Sequence, residues 1–179
     1  MLRGCFVTRN GGNNSLVIED DARLTSCSFS LFGNNNSIII HKNARLNDIS
    51  FWIEDDNNLI EIGCDSSMEG QSQLAACEGT QIVIGVDCMF SHQVNLCTTD
   101  SHAIEDFDGI RINPAKDIRI GNHVWIGQKT LLLKGSSIAN YCIIGACSLV
   151  NKDLKKPNCV YAGQPAHKVR EGVNWKRER

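Results

Sequence analysis

The sequence predicts an all-β solenoid, in which short strands bend at regular corners and stack into triangular coils. Large aliphatic residues stand six positions apart from Ile120 to Val150, and the residues two before them are mostly small or β-branched. Similar triplets recur every 22 residues earlier in the chain. Apolar residues at i and i−2 with a period of six fit short strands with one buried side, and they fit neither a helix nor one long strand.

The repeat divides the chain into about six coils, which start at residues 18, 40, 62, 84, 120 and 138. Three hexads close a coil of about 18 residues, and each early coil carries about four residues more. The early corners contain Asn13-Asn14, Asn35-Asn36 and Asn57-Asn58 at the same 22-residue spacing. Asparagine tolerates the left-handed backbone of tight turns, so these pairs support the assignment of corners.

Two segments interrupt or end the repeat. The coil starts at 84 and 120 are separated by twice a coil, and the surplus predicts a protruding loop at about residues 102–117. Long irregular excursions from a regular scaffold are commonly functional. After Lys155-Lys156-Pro157 the hexads stop, and residues 166–179 are predicted to form a short basic helix or tail. We therefore expect a β-helix domain over 1–165 and a tail over 166–179.

Composition argues against nucleic-acid binding, membrane insertion and export. A formal net charge of −2 and a pI near 6.2 provide no basic field for nucleic acid. No stretch approaches the ~18 apolar residues of a membrane span, and no apolar leader follows Met1. The nine cysteines are odd in number and lack C-x-x-C spacing, which is typical of reduced structural thiols. These features predict an unexported, cytoplasmic protein.

Several motifs resemble the left-handed β-helix, hexapeptide-repeat acyltransferases. The clearest are Ile120-Gly121-Asn122-His123-Val124-Trp125-Ile126-Gly127, the coil from Ile144 to Val150, and Ala162-Gly163-Gln164-Pro165-Ala166. The ending Arg170-Glu171-Gly172-Val173-Asn174-Trp175 is similar to the branch that O-acetylates capsular and lipopolysaccharide sugars. The resemblance implies a left-handed parallel β-helix, acetyl-coenzyme A as co-substrate, and a homotrimer with active sites between subunits. Asn151 departs from the family pattern, in which Thr is more usual at that position.

The resemblance also places a general base at His102, in the segment Thr98-Thr99-Asp100-Ser101-His102. A sugar hydroxyl is a poor nucleophile near neutral pH, and an imidazole with a pKa of ~6.5 can accept its proton. Asp100 lies two residues earlier, where a continuing strand would point it to the same face, so it is a candidate to orient the imidazole. An ordinary turn aspartate is the alternative for Asp100.

The other site residues follow from the same resemblance. Trp125 is expected near the thioester, and backbone amides near Gly127 or Gln128 are candidates to stabilise the charge that develops on the thioester oxygen. The residues expected to bind coenzyme A are Trp125, Gly127, Gln128, Ala146, Asn151, Lys152, His167 and Arg170. Position alone suggests three residues for the acceptor: Gln71, Gln73 and Glu78.

The expected reaction is direct transfer of an acetyl group to a sugar or polysaccharide hydroxyl. Two alternatives stay open: acetylation of an antibiotic or another small molecule, and a scaffold without catalytic activity. A zinc-dependent carbonic anhydrase on the same solenoid would need an H-x4-H pair, and no two of the five histidines have that spacing. We therefore expect no metal.

Overall fold

The protein is a triangular solenoid of parallel strands, described by a computed structural model over residues 1–178. Every secondary-structure element in that range is a β-strand, and the strands form three sheets of nine, seven and seven strands. The chain passes from the first sheet to the second and third and returns to the first one turn higher. The prediction of an all-β, parallel β-helix is therefore confirmed. Its left-handedness stays a prediction from the family resemblance.

The strands of each sheet are as follows. The first sheet contains β1 (Leu2–Arg3), β4 (Arg23–Thr25), β7 (Arg45–Asn47), β10 (Ser67–Met68), β13 (Met89–Phe90), β16 (Trp125–Ile126), β19 (Ile143–Ile144), β22 (Cys159–Gly163) and β23 (Ala166–Glu171). The second contains β2 (Phe6–Asn10), β5 (Ser28–Phe32), β8 (Ile49–Glu54), β11 (Ser72–Cys77), β14 (Asn95–Cys97), β17 (Leu131–Leu133) and β20 (Leu149–Val150). The third contains β3 (Ser15–Ile18), β6 (Ser37–Ile40), β9 (Leu59–Ile62), β12 (Gln81–Ile84), β15 (Ile118–Ile120), β18 (Ser137–Ile138) and β21 (Asp153–Leu154).

Three corners join the sheets, and the candidate site residues lie at or near them. The first corner joins the first and second sheets, and the second corner joins the second and third. The third corner returns the chain to the first sheet of the next turn. The first and third corners each contain a residue with positive φ in turn after turn, such as Gln71 at 59° and Asp87 at 54°.

The interior is formed by the hexad positions. Leu24, Leu46, Met68 and Phe90 lie in successive strands of the first sheet and are 2% exposed or less. In the second sheet Phe29 and Phe51 stack with ring centroids 4.8 Å apart. Each turn thus buries apolar side chains against its neighbours, which is the main driving force for stacking.

The structure has seven complete turns, so the expected count of about six was too low. The six expected coils run from β3 to β20, and the strands of the seven turns that they omit are β1 and β2 before Ile18 and β21 after Val150. In the first turn Val7 pairs with the buried Phe29 of the next turn, yet it is 48% exposed, since no further turn covers it. An end turn has no neighbour on one side, and its hydrophobic pattern is correspondingly weak.

A column of side chains explains the longer early turns. At the second corner the Asn14 Oδ1 accepts from the Asn36 amide, and the Asn36 Oδ1 accepts from the Asn58 amide at 2.8 Å. The Asn58 Oδ1 accepts from the amide of Thr80 at 3.0 Å, and the Thr80 hydroxyl meets the Thr98 hydroxyl at 2.6 Å. This ladder satisfies buried polar groups that would otherwise be costly, and it occupies the extra residues of each coil.

The protruding loop lies at the second corner of the fifth turn. Strand β14 ends at Cys97 and β15 begins at Ile118, so the excursion contains the predicted segment 102–117. The loop exposes four large apolar side chains: Ile104, Phe107, Ile110 and Ile112.

The predicted C-terminal helix is wrong. Residues 166–171 form β23, which pairs antiparallel with β22. Gly163 has a φ of 109°, a value that residues with a side chain rarely adopt, and Pro165 cannot donate a backbone hydrogen bond. Together they reverse the chain onto the edge of the first sheet, where β23 finds backbone partners. Arg179, the last residue of the predicted tail, lies outside the described residues.

The extended segment 172–178 crosses the third corner. Val173 donates its amide to the carbonyl of Asn158, and Trp175 is only 5% exposed. The Arg177 guanidinium bonds Asp87, Ser67 and the carbonyl of Cys88. The tail therefore ties the last turns to the middle of the solenoid.

All nine cysteines are free thiols, and five of them are buried. Burial raises the pKa of Cys27 and of Cys88 to about 11. These thiols stay protonated and pack as small apolar groups. Within residues 1–178 no helix has the length and apolar character to cross a membrane.

Candidate active site

A cavity of about 440 Å³ opens at the second corner beside the root of the protruding loop. The loop contributes His102 and Arg111, and the turn before it contributes Glu78. The structure therefore brings together two residues predicted for the site: His102, the predicted general base, and Glu78, one of the residues predicted to bind the acceptor. The full lining is Glu54, Asp55, Cys77, Glu78, Thr99, Ser101, His102 and Arg111.

Glu78 is held firmly from two sides. Arg111 donates two hydrogen bonds to its carboxylate, at 2.6 Å and 3.0 Å, and the Thr99 hydroxyl donates a third. These bonds, Arg111 first, lower the pKa of Glu78 below its usual value. A bidentate pair of this kind fixes both partners in orientation. Glu78 thus positions Arg111, a loop residue that the sequence did not indicate, at the wall of the cavity.

His102 is exposed, and its backbone is anchored at both ends. Its amide donates to the Asp100 carbonyl at 2.8 Å, and its carbonyl accepts from the Asn113 side chain at 2.9 Å. The imidazole has no hydrogen-bond partner among residues 1–178. Its nitrogens are therefore available to a ligand.

The Asp100 carboxylate does not reach the imidazole of His102. It forms an ion pair with Lys134 at 2.5 Å and accepts a hydrogen bond from Asn113 at 2.8 Å. The Lys134 bond is the main reason that the pKa of Asp100 is lowered, and the Asn113 bond adds to it. Asp100 therefore helps to hold the root of the loop, and in a single chain it supports His102 through the backbone.

Asn113 organises the loop, although no sequence pattern pointed to it. It is 8% exposed and donates to both Asp100 and the carbonyl of His102. Its Oδ1 accepts from the Ile104 amide at 2.7 Å. Only the closed loop reveals this role, since Asn113 lies 11 residues from His102 along the chain.

Cys77 borders the cavity without being a candidate nucleophile. Burial, together with the neighbouring Cys97 and Glu54, raises its pKa to about 12. A thiol needs to be ionised to attack, so Cys77 stays unreactive near neutral pH.

A second cluster of predicted residues lies at the first corner. Gln71 and Gln128 line a cavity of about 390 Å³ together with His92 and Gln93. The Gln93 side chain donates to the Gln71 Oε1 at 2.9 Å. Gln73 is exposed on β11, between the two corners. The three residues proposed for the acceptor are thus spread across the second sheet.

The backbone amides of Gly127 and Gln128 lie at the first corner, where the turns stack closely. A Cβ on Gly127 would lie 2.6 Å from the Ala146 nitrogen, so only glycine fits there. The Gly127 amide donates to the Ile144 carbonyl at 2.8 Å and is therefore occupied. The Gln128 amide has no acceptor within residues 1–178, which makes it the better of the two candidates to stabilise an oxyanion.

Trp125 lies on the first sheet, between Met89 and Ile143. Its indole Nε1 is buried and lacks a hydrogen-bond partner within the described residues. Trp175 of the tail packs beside it at a centroid distance of 6.3 Å. A buried donor without a partner is costly, so this group is available to an acceptor on a bound ligand.

The remaining predicted ligands of coenzyme A fall into two groups. His167 and Arg170 are exposed on β23, and the His167 ring lies against Gly163 at the first-corner end of β22. Asn151 and Lys152 are exposed at the second corner of the last turn. The structure therefore joins Gln128, Ala146 and His167 along one edge and leaves Lys152 on another.

His102 and Gln128 belong to the same region of the solenoid but to different corners. The second sheet separates them: the six residues from Lys129 to Lys134 make five steps across it, or roughly 16 Å at ~3.3 Å per residue. One chain thus holds two half-sites at opposite edges of one face.

Known proteins share both the repeat and the whole fold. The family described as bacterial transferase hexapeptide, with six repeats, matches residues 117–152. A polysialic acid O-acetyltransferase of Neisseria meningitidis is 34% identical over 110 residues, which cover 61% of this chain and 51% of that protein. The chain spans about half the length, or less, of the first curated relatives that it matches.

Two solved structures match almost the complete chain. The polysialic acid O-acetyltransferase OatWY is 30% identical with a TM-score of 0.70, and the match covers 100% of this chain and 92% of that one. The polySia-specific acetyltransferase NeuO is 28% identical with a TM-score of 0.79, over 98% of this chain and 90% of that one.

Proposed function

The chain belongs to the bacterial hexapeptide-repeat transferases, and from this premise we infer that it transfers an acetyl group from acetyl-coenzyme A to a hydroxyl of a polysaccharide. One observation carries the proposal: His102 stands accessible at the root of the loop, beside a cavity walled by Arg111 and Glu78. Both solved relatives are named for acetyl transfer to polysialic acid, which supports a polymer acceptor.

His102 is proposed as the general base. Its imidazole faces the cavity with free nitrogens and can take the proton of a sugar hydroxyl as the new C–O bond forms. Such a base contributes roughly 10²–10⁴ in rate. Asn113 and Asp100 hold the His102 backbone in place, so they are positioning residues.

Acetyl-coenzyme A, when bound, supplies the acetyl group as a thioester. Three features of the chain fit it: the glycine cradle at Gly127, the free amide of Gln128, and the buried indole N–H of Trp125. Two of these are donors that lack protein acceptors, as expected for groups that bind a ligand carbonyl. Ala146 keeps the adjacent corner small, while Asn151, Lys152, His167 and Arg170 are proposed to contact the rest of the coenzyme.

A complete site is proposed to form between subunits of a homotrimer. The half-sites at Gln128 and His102 lie at opposite corners of one chain, so a neighbouring solenoid can bring one corner against the other. The loop exposes several apolar side chains, of which Phe107 is the most exposed, and these side chains would be buried by a neighbouring subunit. A cytoplasmic location is proposed from the nine free thiols.

The first test is calorimetric titration of the full chain with acetyl-coenzyme A and with coenzyme A. We expect saturable binding near one site per chain, whereas no binding at millimolar ligand would refute the transferase assignment. Acetyl transfer is then followed by thiol release, with polysialic acid and chloramphenicol as trial acceptors. His102→Ala should reduce turnover about 100-fold or more. The loop variant Asp108→Ala is the matched control, and full turnover by His102→Ala would remove His102 from the mechanism.

A further inference from the structure

A cluster of metal-binding residue types lies at the third corner of the first three turns, away from the active site. Glu19, His41 and Cys64 follow the third-sheet strands of these turns. Each offers one donor atom, and the three atoms lie within 4.8 Å of one another. Glu19 and His41 occupy equivalent positions of stacked turns, which lie about 4.8 Å apart. Cys64 comes one residue after the equivalent position in the third turn, so residues distant in sequence meet here.

The His41 ring is held in a manner typical of a metal ligand. Its Nδ1 lies 3.0 Å from Glu19 Oε1, and its Nε2 lies 2.8 Å from Glu61 Oε1. Histidines that bind metals usually donate their second ring N–H to a carboxylate, which fixes the tautomer and the ring plane. Glu61 supplies such a carboxylate on the Nε2 side, which leaves Nδ1 to face Glu19.

The Glu19 carboxylate is also fixed before any ion binds. Its Oε2 accepts the Lys42 amide at 3.0 Å, while Oε1 is directed at the ring of His41. A ligand group whose other atoms are already bonded loses little freedom when it coordinates an ion. The Cys64 thiol is half-buried and forms no hydrogen bond within residues 1–178.

We propose that Glu19, His41 and Cys64 bind one zinc ion, with Glu61 as the outer partner of His41. Carboxylate oxygen, imidazole nitrogen and thiolate sulfur are all zinc ligands, with bonds of about 2.0–2.3 Å. Tetrahedral coordination at these lengths sets the donor atoms roughly 3.4–3.6 Å apart. The observed separations need only small side-chain adjustments to reach that geometry. The ion takes the place of the protons on His41 Nδ1 and on the Cys64 thiol, both of which are released to solvent. The fourth position faces solvent at the exposed Glu19.

The ion would join three consecutive turns at the open end of the solenoid. The first turn has no neighbouring turn on one side, and Val7, which pairs with the buried Phe29 of the next turn, is itself 48% exposed. A metal that binds only the folded protein stabilises it by mass action. Motif spacing does not reveal such a site, because its ligands are one turn apart and have no short sequence signature.

The test begins with the full chain, stripped of metal with a chelator and titrated with zinc chloride against a chromophoric competitor. About one zinc per chain is expected, together with a rise in melting temperature. Cobalt(II) should give an absorption band from thiolate-to-metal charge transfer. Cobalt that binds without this band would overturn the proposal, because it would exclude Cys64 as a ligand.

Variants assign the ligands. Cys64→Ser should weaken zinc binding about 100-fold or more and abolish the charge-transfer band, and Glu61→Gln should weaken it roughly tenfold. Cys147→Ser is the matched control, because Cys147 is the exposed thiol of the chain and lies at a different corner. Unchanged zinc affinity in a folded Cys64→Ser protein would show that the cluster is an ion-pair network only. Loss of binding in Cys147→Ser would equally contradict the proposal, whatever the outcome for acetyl transfer.

Discussion

The rings of His123 and Trp175 stack with centroids 4.3 Å apart and planes inclined by 13°. The contact is reinforced by hydrogen bonds in both directions. The Trp175 indole donates to the His123 carbonyl at 2.9 Å, and His123 Nε2 lies 3.1 Å from the Trp175 carbonyl. The tail is therefore a packed part of the solenoid, next to Trp125.

Truncation of Trp175 should destabilise the protein. Trp175→Ala removes an almost fully buried indole and should lower the free energy of unfolding by about 3 kcal/mol, as measured by urea denaturation. Trp175→Phe keeps the stacking and loses the indole hydrogen bond, so it should cost about 1 kcal/mol. Trp52→Ala is the control, because Trp52 is 37% exposed on another sheet. Equal effects of Trp52→Ala and Trp175→Ala would argue against a docked tail.

The docking of the tail should weaken in acid through Asp87. Burial raises the pKa of Asp87, but the hydrogen bonds from His123 and Arg177 outweigh it, so the pKa lies below its usual value. A carboxylate with a lowered folded-state pKa stabilises the fold above its unfolded pKa of ~3.9 and loses that contribution as the pH falls through the folded value. Wild type should therefore exceed Asp87→Asn in stability at pH 7 and 5, and the difference should shrink below about pH 4. A constant difference across this range would exclude Asp87 as the titrating group.

The bidentate pair of Arg111 and Glu78 should matter more for activity than for stability. Arg111→Lys keeps the charge but cannot form both hydrogen bonds, so the loop wall should loosen. We expect the KM for the polysaccharide acceptor to rise about tenfold, the unfolding free energy to change by less than about 1 kcal/mol, and the Kd for coenzyme A to stay constant. Steady-state kinetics and calorimetry separate these effects. A matching loss of coenzyme A affinity would mean that the loop serves the other half-site.

Assembly should depend on the apolar tip of the loop. Phe107 is fully exposed in the single chain, and aromatic anchors of interfaces commonly cost about 2 kcal/mol or more when truncated. Phe107→Ser should therefore shift a trimer toward monomers by at least about 30-fold per interface, as measured by sedimentation at several concentrations. Val7→Ser, a change at a half-exposed apolar residue of the first turn, should leave the distribution unaltered. Trimers that persist in Phe107→Ser would place the interface elsewhere.

Much of the solenoid could be predicted because individual apolar and corner residues recur at regular spacings in the sequence. Ile120, Ile126 and Leu132 each face the interior, and the corner asparagines follow the same spacing. The failures lie where local patterns compete with tertiary contacts. The segment 166–171 was expected to be helical, yet the reversal at Gly163 and Pro165 places it beside β22.

The candidate site was predictable only in part. His102 lies at the start of an insertion, a feature that the sequence displays directly. Arg111 and Asn113 sit inside irregular chain, and their partners Glu78 and Asp100 are known only once the loop closes. The separation of His102 from Gln128 depends on which corner each occupies, and no motif encodes that.

The asparagine column at the second corner has a consequence for how this chain can change in length. Each rung requires a partner 22 positions further on, so an insertion or deletion in turns one to four would break the rung that spans it. The column ends at Thr80 and hands over to Thr98, and the loop leaves the solenoid directly after that point. Extra residues can therefore be accommodated there without disturbing the stack. The residues of the loop beside the candidate site can thus vary in number while the body of the protein keeps its register.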